Sequence, residues 1–183
     1  MKVIGLMGTI GAGKGTVADY LMGKYGFKSI TMGDLVREEA EKIGLEKNRE
    51  NLSKISLEKM EKFGKDYFIK KAIEKIKKEK WERAIIDGVR NPLEVIVFKK
   101  EFGGNMKFIL VDAKPELRFE RMKIRARVGF PKTVEEFQKE EQNEWKQFRL
   151  NETFLGAEII INNDSDLESL HKQVEKAMSE FLK

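Results

Sequence analysis

The stretch "GLMGTIGAGKGT", Gly5 to Thr16, decides how this sequence is read. It overlaps a short apolar run, "KVIGLM" (Lys2 to Met7), which has the character of a buried strand. A helical pattern, "KGTVADYLMGKY", begins inside its glycines. Gly8 and Gly13-Lys14 satisfy G-x-x-x-x-G-K in the strand–loop–helix context which that motif requires. Gly8, Gly11 and Gly13 let backbone amides turn inward around an anion, with Ala12, Gly15 and Thr16 completing the cradle. The helix N-terminus adds its dipole, and Lys14 reaches toward β- and γ-phosphates. A dinucleotide fingerprint fits worse, because G-x-G-x-x-G would need glycine at Thr16. The loop is therefore read as a phosphate loop. One departure stands out: Gly15 occupies the place where a strict Walker A loop has Ser or Thr.

Further along, short apolar runs alternate with helical patterns. Strands are expected at Phe27–Met32, Arg83–Gly88, Met106–Asp112 and Ala157–Asn162. Helices are expected from "GDLVREEAEKI", from Asn51 to Lys80 with a division at Gly64, and from "PLEVIVFKKEF" with Asn91-Pro92 as cap and first turn. A basic helix, "PELRFERMKIRAR", an acidic one, "TVEEFQKEEQNEW", and a last helix capped by Ser165 with Glu168 complete the pattern. Five apolar strands separated by helices predict an α/β fold: a five-stranded parallel sheet with helices on both faces. Ligands in such folds bind at the C-terminal ends of the strands.

Composition narrows the function. The 183 residues suit one domain that buries about 70% of its unfolded surface. Without cysteine there is no disulfide scaffold, thiolate zinc site or cysteine nucleophile, and the one histidine, His171, cannot anchor a Ser-His-Asp triad. His171 is expected to be an ordinary surface residue. The N-terminal apolar run is too short for a signal peptide or membrane span, so a cytoplasmic protein without a membrane partner is expected. The net charge of +5 suits anionic ligands, but basic and acidic residues interleave, as in "KIKKEKWER".

Several segments together resemble the nucleoside monophosphate kinases, adenylate kinase above all. "GTIGAGKGT" resembles their loop, in which Lys-Gly-Thr is the normal ending. That resemblance implies ATP as donor, with Mg²⁺ held by phosphates and waters; Thr16 would contact the α-phosphate, with a metal contact as the alternative. "TMGDLVR" (Thr31 to Arg37) resembles the T-G-D-x-x-R segment that opens the monophosphate-binding helix. Asp34 and Arg37 lie on the same side of a first helical turn, and Arg37 would clamp an acceptor phosphate. The bland alternative is a capping Asp34 and an Arg37 paired with Glu38 or Glu41. "IIDGVR" (Ile85 to Arg90) resembles D-G-F-P-R, one residue shorter. Asp87 would order the magnesium waters as a Walker B aspartate, and Arg90 would face the same cleft.

In "LRFERMKIRAR", Arg118, Arg121 and Arg125 fall on one helical face and Phe119, Met122 and Ala126 on another. By resemblance, Arg121 stacks on the donor adenine, and Arg125, with Arg127, reaches the transferring phosphate. Salt bridges to the acidic helix are the competing reading. A short lid is expected at about 125–133, and an acceptor-binding helical region at about 33–80. Asn163, in the loop after the last strand, would pack near the donor base.

The chain as a whole resembles archaeal nucleotide kinases described as adenylate kinase-like or dephospho-CoA kinase-like. Met32 and the absence of a glutamine after Arg90 depart from adenylate kinase and put AMP as acceptor in doubt. The expected activity is ATP-dependent phosphoryl transfer to a small nucleotide acceptor, a nucleoside monophosphate kinase in the first instance. A dephospho-CoA kinase with Asp34 as general base is the alternative. An ATPase associated with RNA or ribonucleoprotein is a second alternative, disfavoured because no aromatic-studded basic ribbon is present. N-K-x-D and D-x-x-G, the marks of a GTPase, are absent. The acceptor base and the oligomeric state stay open.

Overall fold

Strand β1 (Lys2–Met7) lies at the centre of a five-stranded sheet, paired in parallel with β3 (Arg83–Asp87) on one side and β4 (Met106–Asp112) on the other. β2 (Lys28–Thr31) and β5 (Ile159–Asn162) form the edges, giving the order β2-β3-β1-β4-β5. This computed structural model describes residues 1–125 and 131–183. All four pairings are parallel, as the uninterrupted apolar runs of the central strands require: both faces are covered, so no polar face is needed.

The register gathers the chemistry at one edge. Leu6 pairs with Asp87, Thr31 with Asp87, and Asp112 with Asn162. The loop after Met7, the start of the helix after Thr31, Asp87 and Asn163 therefore emerge side by side at the C-terminal ends of the strands.

On one face of the sheet, Val3, Met7, Ile30, Ile86 and Phe108 pack with Phe68, Ile73 and Ile76 of α4 (Tyr67–Lys78) and Phe98 of α5 (Pro92–Phe102). On the other, Ile4, Leu6, Ile85, Ile109 and Ile161 pack with Val17 and Leu21 of α1 (Lys14–Tyr25) and Leu170 and Val174 of α9 (Leu167–Phe181). Each such side chain contributes about 1.5–3 kcal/mol. His171 departs from the sequence expectation: it is half-buried between α1 and α9, with its ring 3.8 Å from that of Tyr20 and nearly parallel to it.

Helices α2 (Met32–Lys42), α3 (Arg49–Phe63) and α4 pack together beside the sheet. Gly64 ends α3, so the long helical pattern does divide there. Glu39 of α2 fastens the three helices. Its buried carboxylate takes Lys42 at 2.8 Å, Lys59 of α3 at 2.8 Å, and Lys71 of α4. Burial alone would raise its pKa, but the lysines override that and hold it well below the usual carboxylate range.

The remaining helices are α6 (Pro115–Arg125), α7 (Val134–Phe148) and the short α8 (Leu150–Phe154), which follows a left-handed turn at Arg149. Asn91 and Glu94 form the full capping box of α5. At α9 the expected capping box is corrected: Asp166, not Ser165, is the N-cap and accepts the Ser169 amide, so the cap lies one residue later and Glu168 falls at the second helical position. Among the described residues no helix is long and apolar enough to cross a membrane.

Candidate active site

The loop from Gly8 to Gly13 leads from β1 into α1, and Gly13 sits at the N-cap position with φ 104°. No side chain caps the helix, so its first amides face the cavity with their dipole unneutralised. A Cβ on Gly13 would meet Asn163 Nδ2 at 2.1 Å. That same nitrogen donates to Ala12 O at 2.8 Å, tying the loop to the end of β5. Gly13→Ala is expected to destabilise the fold by about 1–3 kcal/mol and to displace Asn163. Thermal melting together with a nucleotide-binding titration checks this; unchanged values in both would contradict the close packing.

Lys14 Nζ folds back to donate to Gly8 O at 2.8 Å and Thr9 O at 3.0 Å. Its burial pushes the pKa down, and nearby Asp87 opposes that shift. Asp87 is shifted up, chiefly by burial; Lys14 and Arg90 counter the shift, and the charge of Asp34 adds to it. A cavity of about 230 Å³ brings together Gly11, Gly13, Lys14, Gly15, Asp87 and Arg125. A second, of about 370 Å³, adjoins it and is lined by Thr16, Arg121, Ile124, Asn163 and Leu167, with Gly11 and Gly13 shared.

Thr9 Oγ1, Asp87 Oδ1 and Arg121 Nη1 are buried with no hydrogen-bond partner among the described residues. Orphaned buried polar atoms cost about 1–3 kcal/mol each, so atoms of this kind around one loop point to a ligand. The donor set fits a nucleoside triphosphate: amides and Lys14 for phosphates, and Arg121 beside the larger cavity. No group of three or more His, Cys, Asp or Glu able to cage a metal occurs among the described residues. The residues instead fit Mg²⁺ arriving with a nucleotide, its waters held by Asp87.

The arginines of α6 do not share one fate. Arg118 turns inward, buried, to Ile10 O, Ala113 O and Glu141. It satisfies the salt-bridge reading, whereas Arg121 lines the larger cavity, donates to Asn163 O at 2.7 Å and leaves Nη1 buried without a hydrogen-bond partner among the described residues. Arg125 lies exposed at the rim of both cavities. Arg127 and most of the expected lid, residues 126–130, lie outside the described residues.

On the opposite side, Arg37 Nη1 pairs with Asp34 Oδ1 at 2.5 Å, both about half exposed, rather than with Glu38 or Glu41. Thr31, not Asp34, takes the N-cap position of α2. The Arg90 guanidinium lies 4.5 Å from the centre of the Phe148 ring and 3.8 Å from Glu144. Its backbone is pinned as well, its N–H donating to Glu94 and its C=O accepting from Thr153. Arg90, with Met32, Val36, Met60, Phe68 and Phe148, lines a third cavity of about 150 Å³.

Sequence reading pointed to the acidic helix as a salt-bridge partner without singling out Glu141 or Glu144, and it missed Phe148 and Thr153. All lie in or just after a charged helix whose polar periodicity marks a solvated face, and only the way that helix returns over the cleft turns them inward.

A phosphate loop at the edge of a 2-3-1-4-5 parallel sheet, with an aspartate ending the neighbouring strand, defines a P-loop kinase fold. The chain belongs to the family described as "AAA domain", which it matches over residues 7–139, and to the UPF0200 proteins. It is 34% identical to the UPF0200 protein of Thermococcus onnurineus, over 98% of each chain. It is also 34% identical to a UPF0200/UPF0201 protein of Archaeoglobus fulgidus, matching along all of its own length but only 57% of that protein's. Solved structures with the same fold include shikimate kinase from Bacteroides thetaiotaomicron (TM-score 0.60, 17% identity, 100% and 99% of the two chains). A gluconokinase from Sinorhizobium meliloti is another (TM-score 0.54, 12% identity, 98% and 92%).

Proposed function

We propose that this protein transfers the γ-phosphoryl group of ATP to a nucleoside monophosphate. The observation that carries the reading is the placement of two half-sites on either side of Asp87. On one lie the loop, Lys14 and Arg121; on the other, a pocket in which Met60, Phe68 and Phe148 meet Lys65, Arg90 and Glu94. An apolar pocket with a few convergent polar groups suits a nucleobase carrying an anionic group.

Gly8, Gly11, Ala12, Gly13, Gly15 and Thr16 would bind the donor phosphates through their amides and the Thr16 hydroxyl. Lys14 would leave the Gly8 and Thr9 carbonyls for the transferring phosphate, and Arg121 and Arg125 would add positive charge from the other wall. Asn163 holds the loop at Ala12 beside the donor cavity. Asp87 would orient the metal's waters, and bound Mg²⁺ would supply charge neutralisation. Arg37, with donors remaining beyond its bond to Asp34, and Arg90 would clamp the acceptor phosphate. An acceptor phosphate is already anionic, so no general base is needed.

One observation favours a second reading. Thr31 pairs with Asp87 in the sheet and α2 begins at the next residue, so Asp34 stands in the first turn beyond the strand end that neighbours Asp87. In a hydroxyl kinase such as dephospho-CoA kinase Asp34 would accept the acceptor's proton.

ADP formation from ATP, assayed against AMP, CMP, UMP, GMP, their deoxy forms, dephospho-CoA and no acceptor, separates the readings. We expect turnover with a monophosphate, little changed in Asp34→Asn. Arg37→Ala should raise the acceptor KM about 10- to 100-fold, the worth of a charge-assisted hydrogen bond. Turnover with dephospho-CoA alone, lost in Asp34→Asn, would establish the hydroxyl kinase. ADP released at full rate without an acceptor would overturn both.

A further inference from the structure

Arg118 is a buried arginine in a helix whose other arginines face the donor side, and every arm of its guanidinium is committed. Nε donates to Ala113 O at 2.9 Å and Nη1 to Ile10 O at 3.3 Å, while Nη2 lies 2.5 Å from Glu141 Oε1. Its carbon lies 5.3 Å from the centre of the Phe137 ring. Glu141 and Phe137 both belong to α7. A buried ion pair is a poor source of net stability, because desolvation offsets most of the attraction. What this one does provide is a fixed geometry at the tip of the phosphate loop.

The Ile10 carbonyl is turned toward Arg118. In a trans peptide the N–H lies opposite the C=O, so the Gly11 amide is turned the other way. Gly11 lines both cavities of the donor side. The loop cannot slide outward: with φ 78°, Gly11 sits so close to α6 that a Cβ would be 2.7 Å from Arg118 O. The orientation of an anion-binding amide is thus decided by a side chain that touches no substrate, and that side chain is held by α7.

One turn further along α7, Glu144 is the ion-pair partner of Arg90, and Phe148 carries the Arg90 guanidinium on its ring. We propose that α7 is the common support of both half-sites. Glu141, acting through Arg118, is a positioning residue for the donor loop, and Glu144 is a positioning residue for the acceptor arginine.

The inference rests on the proposed function for its acceptor arm; the donor arm needs only ATP binding at the loop. The experiment measures the Kd of a fluorescent ATP analogue without acceptor for wild type, Glu141→Ala, Glu141→Gln, Arg118→Lys and Glu144→Gln. The acceptor KM of the catalytically competent variants is measured in parallel. Glu141→Ala should weaken nucleotide binding about 10- to 100-fold, the usual effect of losing a group that orients a binding residue. Glu141→Gln keeps an oxygen for Arg118 and should recover most of that loss. Arg118→Lys, with a point charge in place of a fork, should fall between them and substitutes for Glu141→Ala if that variant does not fold. Glu144→Gln should leave the donor Kd unchanged and raise the acceptor KM about tenfold.

Wild-type affinity in Glu141→Ala and Arg118→Lys overturns the donor half, as does equal loss in Glu141→Ala and Glu141→Gln. An unchanged acceptor KM in Glu144→Gln, where wild type turns over, overturns the acceptor half. Failure of wild type to bind the analogue would instead overturn the proposed function.

Discussion

Replacing Lys14 with Ala is expected to lower turnover by about 10³-fold or more while the fold survives. An ammonium meeting the charge that develops on the transferring phosphoryl group, in a site with little water, is worth about that much. Stability should not suffer, because burial lowers the Lys14 pKa, which means that folding favours the neutral amine. The sign follows: below the folded pKa the buried ammonium costs stability, and the cost is relieved as pH rises through that pKa. At neutral pH the variant should therefore melt no lower than wild type. Steady-state ADP formation and a thermal melt check both halves. Full activity in the variant would remove the loop from the reaction.

Asp87→Asn is the second large effect, with a loss of about 10²–10³ in turnover as the group that would hold the metal's waters becomes neutral. Here the variant should gain stability at neutral pH. Asp87 carries a pKa raised by burial, so folding favours the protonated acid. Its contribution is fully present below the unfolded carboxylate pKa and is lost as pH climbs through the folded one. The melting temperature of Asp87→Asn should exceed that of wild type at pH 7, and the gap should close in acid. A gap that persisted or reversed at low pH would mean that Asp87 is not the strained group. For the same reason, the acid limb of wild-type kcat/KM should lie higher than an unshifted aspartate would place it.

Much of the fold was legible because each element carries a local reason. β1 and β4 were readable to the residue: both are central strands covered on two faces, so each reads as a nearly continuous apolar run. β2 and β5 are shorter than expected, four residues each. They are edge strands, and pairing with a single neighbour stops before their apolar character does. Asn91 and Pro92 signal the start of α5 within two residues of chain, and the structure adds Glu94 as the reciprocal partner of the cap. The cap of α9 was misplaced by one residue because Ser165 and Asp166 are both good capping types. Only the path of the loop decides which is at the turn.

By itself the sequence determined the phosphate loop, the parallel sheet and the strand-end positions of Asp87 and Asn163. Glycine spacing and apolar runs act over a few residues, and the register of parallel strands carries their ends to one edge. The tertiary structure alone decided that Arg118 turns inward while Arg121 lines the larger cavity beside the loop. It also decided that Arg37 closes on Asp34 and that Glu141 and Glu144 reach two different arginines. These outcomes depend on what lies across from a helical face, and residues far apart in sequence supply that: Arg118 meets Ile10 and Arg90 meets Glu144 only after the chain has closed.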